Sequence, residues 1–188
     1  LISSTTTGNC SAVITRIWDA TDACGNHSAT RIQIITVRDT QAPTIGQAGA
    51  NSTVECTATP SFTQPTASDA CNGATVNFLG EVTAGNSCSK TFTRTWDATD
   101  ACANHSATRT QVITVVDTQA PTIGTAGIDA TIECTATPLF TQPTASDACN
   151  GATVNFLGEV TAGNGCSRSI TRRWDATDAC GNHSATRT

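Results

Sequence analysis

Thr95-Trp96-Asp97-Ala98-Thr99-Asp100-Ala101-Cys102-Ala103-Asn104-His105-Ser106-Ala107-Thr108-Arg109 decides how this chain is read, because its pattern occurs three times. Trp18 to Cys24 and Trp174 to Cys180 repeat Trp96 to Cys102 residue for residue, and each copy continues through Asn-His-Ser-Ala-Thr-Arg. The three tryptophans, Trp18, Trp96 and Trp174, stand 78 residues apart. A fixed period of this size marks a modular array. Each copy reads as a strand, a tight turn and a second strand. Apolar and polar residues alternate into the tryptophan, and Asp-Ala-Cys with a following Asn is turn chemistry.

The flanking residues complete the unit. Arg38-Asp39-Thr40-Gln41-Ala42-Pro43 and Val116-Asp117-Thr118-Gln119-Ala120-Pro121 are matching joints. Their proline holds the preceding residue extended, and the scarcity of glycine makes a semi-rigid connection. The period divides the chain into 1–39, the C-terminal half of a repeat; 40–117, a complete repeat; and 118–188, a nearly complete one. Within 40–117, strands are expected at 52–57, 74–82, 89–99 and 106–116, with a short extended piece at 66–70. Pro60 and Pro65 bracket an irregular edge segment. Phe92, Arg94, Trp96 and Ala98 share a face of the longest strand. There Trp18, Trp96 and Trp174 are the expected core anchors, each stabilising its unit by roughly 1.5–3 kcal/mol on burial. Arg94 is expected near a sheet edge, stacked on Trp96 or paired with an acid.

Many short strands, regular turns and no helical period predict an all-β chain of tandem immunoglobulin-like β-sandwiches. Charged residues are 13% and aromatics 4% of the 188 residues, and Met and Tyr are absent. The net charge of −5 opposes nucleic-acid binding and allows cations. No apolar run approaches the roughly 18 residues of a membrane span. The chain begins and stops in mid-repeat, which reads as a window on a longer secreted protein.

Units of this size need covalent staples, and there are ten cysteines. Pairing Cys88 with Cys102 spans about ten strand residues, roughly 33 Å, far beyond disulfide reach. Alternate loops of a sandwich share an end, which favours Cys56–Cys88 with Cys71–Cys102, and Cys134–Cys166 with Cys149–Cys180. Cys10 and Cys24 are then left without partners in this chain. The rival, with every pair local and Cys10 bonded to Cys24, uses all ten. Either pattern places the protein in an oxidising compartment. Cys102 and His105 have a zinc-like spacing, repeated at Cys24/His27 and Cys180/His183. Zinc needs four ligands and no second close pair stands nearby, so a solvated turn histidine is expected instead.

Trp-Asp-Ala-Thr-Asp-Ala-Cys-Gly-Asn, Asp-Thr-Gln-Ala-Pro-Thr-Ile, Val-Glu-Cys and Pro-Thr-Ala-Ser-Asp-Ala-Cys together resemble the HYR-like (hyalin-repeat-like) immunoglobulin-like repeats of large secreted Bacteroidota proteins. These include the gliding-motility surface adhesins of flavobacteria. The resemblance covers essentially the whole chain. It implies an adhesive or structural stalk exported to the cell surface. Ala103 departs from the Gly of the other two copies and puts a need for positive φ there in doubt.

Two readings of the recurrent acids stay open. If tandem units meet end to end, Asp117 faces the turns of Asp147 and Asp178, and three carboxylates can take Ca²⁺. Alternatively each Asp only caps its own turn. Asn26, Asn104, Asn182 and Asn51 fit an N-glycosylation pattern, or are polar turn residues. Thr91, Thr93 and Thr95 form a polar stripe, expected to be a solvated sheet face. No paired acids, nucleophile elbow or phosphate loop appears, so catalysis is not expected. The leading expectation is a non-enzymatic extracellular stalk. Its partners are neighbouring repeats, lateral copies through exposed strand edges, or surface glycans bound with avidity.

Overall fold

A computed structural model describes every residue except Asn72 and Cys166. Strands take up 51% of the chain, and no described residue is helical. The fold is all-β and of the immunoglobulin-like sandwich class. In chain order the strands are β1 (Ser3–Thr7), β2 (Ser11–Trp18), β3 (Arg31–Arg38), β4 (Thr44–Ile45), β5 (Ser52–Glu55), β6 (Ala67–Ser68) and β7 (Ala74–Gly85). They continue as β8 (Ser89–Asp100), β9 (Arg109–Val116), β10 (Thr122–Ile123), β11 (Ala145–Ser146), β12 (Ala152–Asn164) and β13 (Ser167–Asp178). The alternating runs ending at Trp96 and Trp174 become the two long strands β8 and β13. The two-residue strands β4 and β10 and the separate strand β1 were not expected, because pieces so short carry no periodicity to read.

The chain forms two compact units whose bounds do not follow the 78-residue period. Unit 1 comprises Leu1–Ala50, Phe62–Glu81 and Arg94–Gln111; unit 2 comprises Asn51–Ser61, Val82–Thr93 and Val112–Thr188. Unit 1 holds the sheet β1-β2-β3 and the pair β4-β6. Its core is Ile45, Trp96 and Ala98, with Ala48, Phe62, Ala67 and Val76 packed against them. Trp96 thus lies between the small β4–β6 layer and the long strands, and is 3% exposed.

Unit 2 holds the pairs β10-β11 and β12-β13. Ile123, Trp174 and Ala176 form its core, backed by Ala126, Phe140, Ala145 and Val154. Trp174 is 5% exposed, whereas Trp18, at the end of β2, is partly buried. The β12–β13 register slips between Phe156 and Gly158, where Gly158 takes a φ of 124° that a β-bulge requires. Ser52 to Glu55 of β5 run parallel to Ile113 to Val116 of β9, and Ile113 is 1% exposed.

Arg94 lies on β8, an inner strand of the sheet β5-β9-β8-β7 and not its edge, and it is paired with an acid as expected. Its Nε donates to Glu81 Oε2 at 2.7 Å, and its guanidinium lies 4.1 Å from the centre of the Phe62 ring, not on Trp96. Arg172 repeats this with Glu159 at 2.8 Å and Phe140 at 4.1 Å. Thr91, Thr93 and Thr95 are partly buried rather than a fully solvated face.

Candidate functional site

The cysteines and the acidic turns meet at the ends of the long strands. The bridges are Cys10–Cys102, Cys56–Cys149 and Cys88–Cys180, with Cα separations of 5.1, 5.9 and 5.2 Å. This corrects both pairings expected from the sequence. Cys56–Cys88, Cys71–Cys102 and Cys149–Cys180 do not form, nor does Cys10–Cys24; each bridge instead joins one repeat to the next. Cys134–Cys166 falls partly outside the described residues, and Cys134 is unbonded, as are Cys24 and Cys71.

The physical reason lies in strand order. The sheet runs β5-β9-β8-β7. Cys56 follows β5 and Cys88 precedes β8, so β9 separates them. Two strand spacings amount to roughly 9.6 Å, beyond the ~7 Å that a disulfide spans. The grouping of cysteines by end is nonetheless as the turns suggested. Cys56 N donates to Val116 O (2.8 Å) while Asp117 N donates to Cys88 O (3.2 Å), so these two share an end. Asn150 Nδ2 lies 3.5 Å from Cys180 Sγ, so the turns of Cys149 and Cys180 share another. Cys56, Cys88, Cys149 and Cys180 of unit 2 then pair across, one from each repeat.

The turn geometry is built by aspartate. Asp178 Oδ1 accepts from Cys180 N (2.8 Å) and Asn182 N (2.9 Å), and Oδ2 accepts from Asn182 Nδ2 (2.8 Å). The same amide reaches the joint, donating to Asp117 O at 3.2 Å. In unit 1, Asp100 and Asn104 repeat the turn, and Asn104 Nδ2 lies 3.5 Å from Asp39 O. Asp22 and Asn26 form the third copy. The asparagines of the glycosylation pattern are therefore tied into these turns, and Asn51 Oδ1 accepts Val112 N at 2.7 Å.

Asp117, Asp147 and Asp178 are brought together, with ligand atoms all within 4.8 Å of one another. Asp117 and Asp178 are buried. Asp147 Oδ1 accepts from Cys149 N at 2.7 Å, and Asp117 Oδ2 accepts from Asn150 Nδ2 at 3.1 Å. Each aspartate thus acts as a turn former, and the three also make an oxygen-rich cluster of the kind a hard divalent cation takes. Burial works against the charge on Asp178. Hydrogen bonds from the Asn182 side chain and from the amides of Asn182, Cys180 and Gly181 outweigh it and hold the carboxyl below its ordinary value. Asp39 and Asp69 gather likewise beside Cys71, and the negative charge of Asp39, ahead of burial and Asp69, pushes that thiol up.

The motif histidines turn toward acids. His105 Nδ1 lies 3.0 Å from Asp97 Oδ2, and Asn77 Nδ2 donates to Asp97 Oδ1 at 2.8 Å. The Asn77 bond, then the His105 bond, lower the Asp97 carboxyl. Cys102 is in a disulfide, so the zinc-like spacing has no free thiolate there. Ala103 takes a φ of 65°, as Gly25 and Gly181 take 86° and 85°. The turn does need a left-handed residue, and alanine occupies it under strain. The joint-facing roles of Asn104, Asn150 and Asn182 were missed. Their signal was present as the invariant Asn after each Asp-Ala-Cys-x, and as the Asn following Cys149.

Residues 44–115 match the model of a family described as the HYR-like domain with 4 cysteines. This stretch is thus similar to an HYR-like domain, a likeness that suggests an extracellular, adhesion-type repeat module. No curated protein and no solved structure matches the chain. No helix among the described residues is long and apolar enough to cross a membrane.

Proposed function

We propose that this chain is a non-enzymatic structural region of a bacterial cell-surface adhesin, a stiff stalk or filament segment that spaces an adhesive tip from the cell. The observation that carries this reading is that each of the three bridges among the described residues joins successive repeats. A series of independent binding modules has no need of covalent ties between its members, whereas a load-bearing stalk does. The near-identity of Thr57–Asn86 and Thr135–Asn164 supports a role in which copy number matters. Bacteroidota gliding adhesins are the setting that the sequence resemblance brings to this reading.

Calcium at Asp117, Asp147 and Asp178 belongs to the same proposal, with the clustering of their oxygens in its support. Small-angle scattering of the oxidised chain tests the stalk. An extended particle is expected, and a compact globule overturns the proposal.

A further inference from the structure

Each unit carries the same group of side chains around an exposed aromatic ring. In unit 2, Phe140, Gln142, Phe156, Arg172 and Trp174 line a cleft of about 270 Å³. Phe156 is 58% exposed, although its ring centre lies 6.2 Å from that of Trp174, which is buried. The Arg172 guanidinium lies 4.1 Å from the Phe140 ring centre and 5.7 Å from that of Phe156. Its Nε donates to Glu159 at 2.8 Å, which holds the planar group in place. In unit 1 the counterparts, one period earlier, are Phe62, Gln64, Phe78, Arg94 and Trp96. Their ring and guanidinium distances are again 6.2, 4.1 and 5.7 Å, and Phe78 is 57% exposed. Gln64 and Gln142 are exposed, and among the described residues their amides have no hydrogen-bond partner. Arg94 and Arg172 donate through Nε alone, which leaves their Nη groups open. The two cores close on Trp96 and Trp174 without any need of an exposed phenylalanine beside each.

We propose that these side chains bind a neutral, gluco-configured pyranose ring of a surface glycan, once in each unit. A pyranose whose ring substituents are all equatorial presents a flat face of C–H groups. Those groups carry a slight positive charge, which the negative face of an aromatic ring attracts. Phe156 offers such a face with more than half of its surface open. An axial hydroxyl would set a polar group against the ring, stripped of water and without a partner. The equatorial hydroxyls point outward in the plane of the sugar and take both donors and acceptors. The Gln142 amide is both, and the Arg172 Nη groups donate. Charge selects a neutral sugar, because Glu159 already neutralises Arg172. The cleft is smaller than the roughly 300–1,000 Å³ sites that enclose a drug-sized ligand, so it takes one ring of a longer chain. A peptide side chain would need an apolar socket, whereas here the guanidinium lies against both phenylalanines. One ring at ordinary ligand efficiency binds with a dissociation constant on the order of 1 mM. Two such sites on one chain raise the affinity for a glycan that reaches both. Binding of this kind does not depend on whether the chain is an extended stalk.

The test titrates cellotetraose into the oxidised, nitrogen-15-labelled full chain and follows the Arg172 Nε–Hε and Gln142 side-chain amide signals by NMR. Both should move with a dissociation constant on the order of 1 mM, and the Arg94 and Gln64 signals should move with them. Phe156→Ala should weaken the response of unit 2 roughly tenfold and leave that of unit 1 unchanged. Gln142→Ala replaces an exposed side chain that bonds no described residue, so the fold is retained while the affinity of unit 2 falls roughly threefold or more. No movement at about 20 mM cellotetraose, or an unchanged response in both variants, would overturn the proposal. So would equal or tighter binding of tetragalacturonate, which would mark an anion site, or of a proline-rich decapeptide, which would mark a peptide site.

Discussion

Replacing Cys10 and Cys102 together with alanine removes the one bridge described in unit 1. The bridge spans a sequence separation of 92. Loop-closure entropy for a ring of that size is worth about 4.6 kcal/mol to the folded state. For a unit of this size each kcal/mol moves the melting temperature by roughly 4–8 °C, so the loss should lower the first transition by about 20 °C or more. Differential scanning calorimetry of the oxidised chain reads this directly. Tryptophan emission during urea unfolding, read in a Trp174→Phe background, assigns the transition, because Trp96 is buried in unit 1 and Trp174 in unit 2. The control is Cys24→Ala, which removes an unbonded, exposed thiol and should leave the transition where it was. A local Cys10–Cys24 bridge would close a ring of about 15 residues, worth ~3 kcal/mol. If Cys24→Ala destabilises unit 1 by that amount, the inter-repeat pairing is wrong.

Ala103→Gly should stabilise unit 1 by about 0.5–1 kcal/mol, the left-handed strain relieved less the added freedom of the unfolded chain, and a raised urea midpoint would show it. Gln111→Leu should cost about 1–3 kcal/mol. It strands the Thr63 amide and the Ala50 carbonyl that this buried side chain serves at 2.9 Å each. The carboxyls of Asp97, Asp100, Asp175 and Asp178 are held below their ordinary 3.8. Their contribution is therefore full above that value and is lost as pH falls through the lower folded-state values. The urea midpoint should drop steeply below about pH 4, and Asp97→Asn should flatten the slope. Millimolar calcium should raise the melting temperature of unit 2, and Asp147→Asn should abolish the rise; no shift in the parent chain removes calcium from the stalk model.

The fold class was legible because alternation and turn residues are local properties. Asp-Ala-Cys-x-Asn announced its turn, and the run into Trp96 announced β8. The end at which each cysteine lies was legible too, from counting turns. The partner was not, because Cys56 and Cys88 are separated by β9, and the insertion of that strand between β5 and β8 is a long-range fact with no local sign. The same limit hid the compact units. The period recurs every 78 residues, and a period fixes repeat length without fixing the phase at which the core closes. Ala103 shows a different limit, since a single non-glycine copy argued against a conformation that the surrounding hydrogen bonds impose.

Cross-linking in this pattern also sets how far the chain can be drawn out. Between Cys10 and Cys180 the polypeptide, fully stretched, would reach roughly 600 Å. The covalent route is far shorter. It crosses from Cys10 to Cys102, runs backward along β8 to Cys88, and crosses again to Cys180. That route contains about 14 residues and reaches roughly 50 Å, close to the length of β8 as a folded strand. Tension applied between Cys10 and Cys180 therefore passes through β8, and the residues outside that route form slack loops that carry no load. Even with every hydrogen bond broken, those two residues cannot be drawn further apart than about 50 Å. Between them the chain is a tether of bounded length rather than a spring that absorbs force by unravelling.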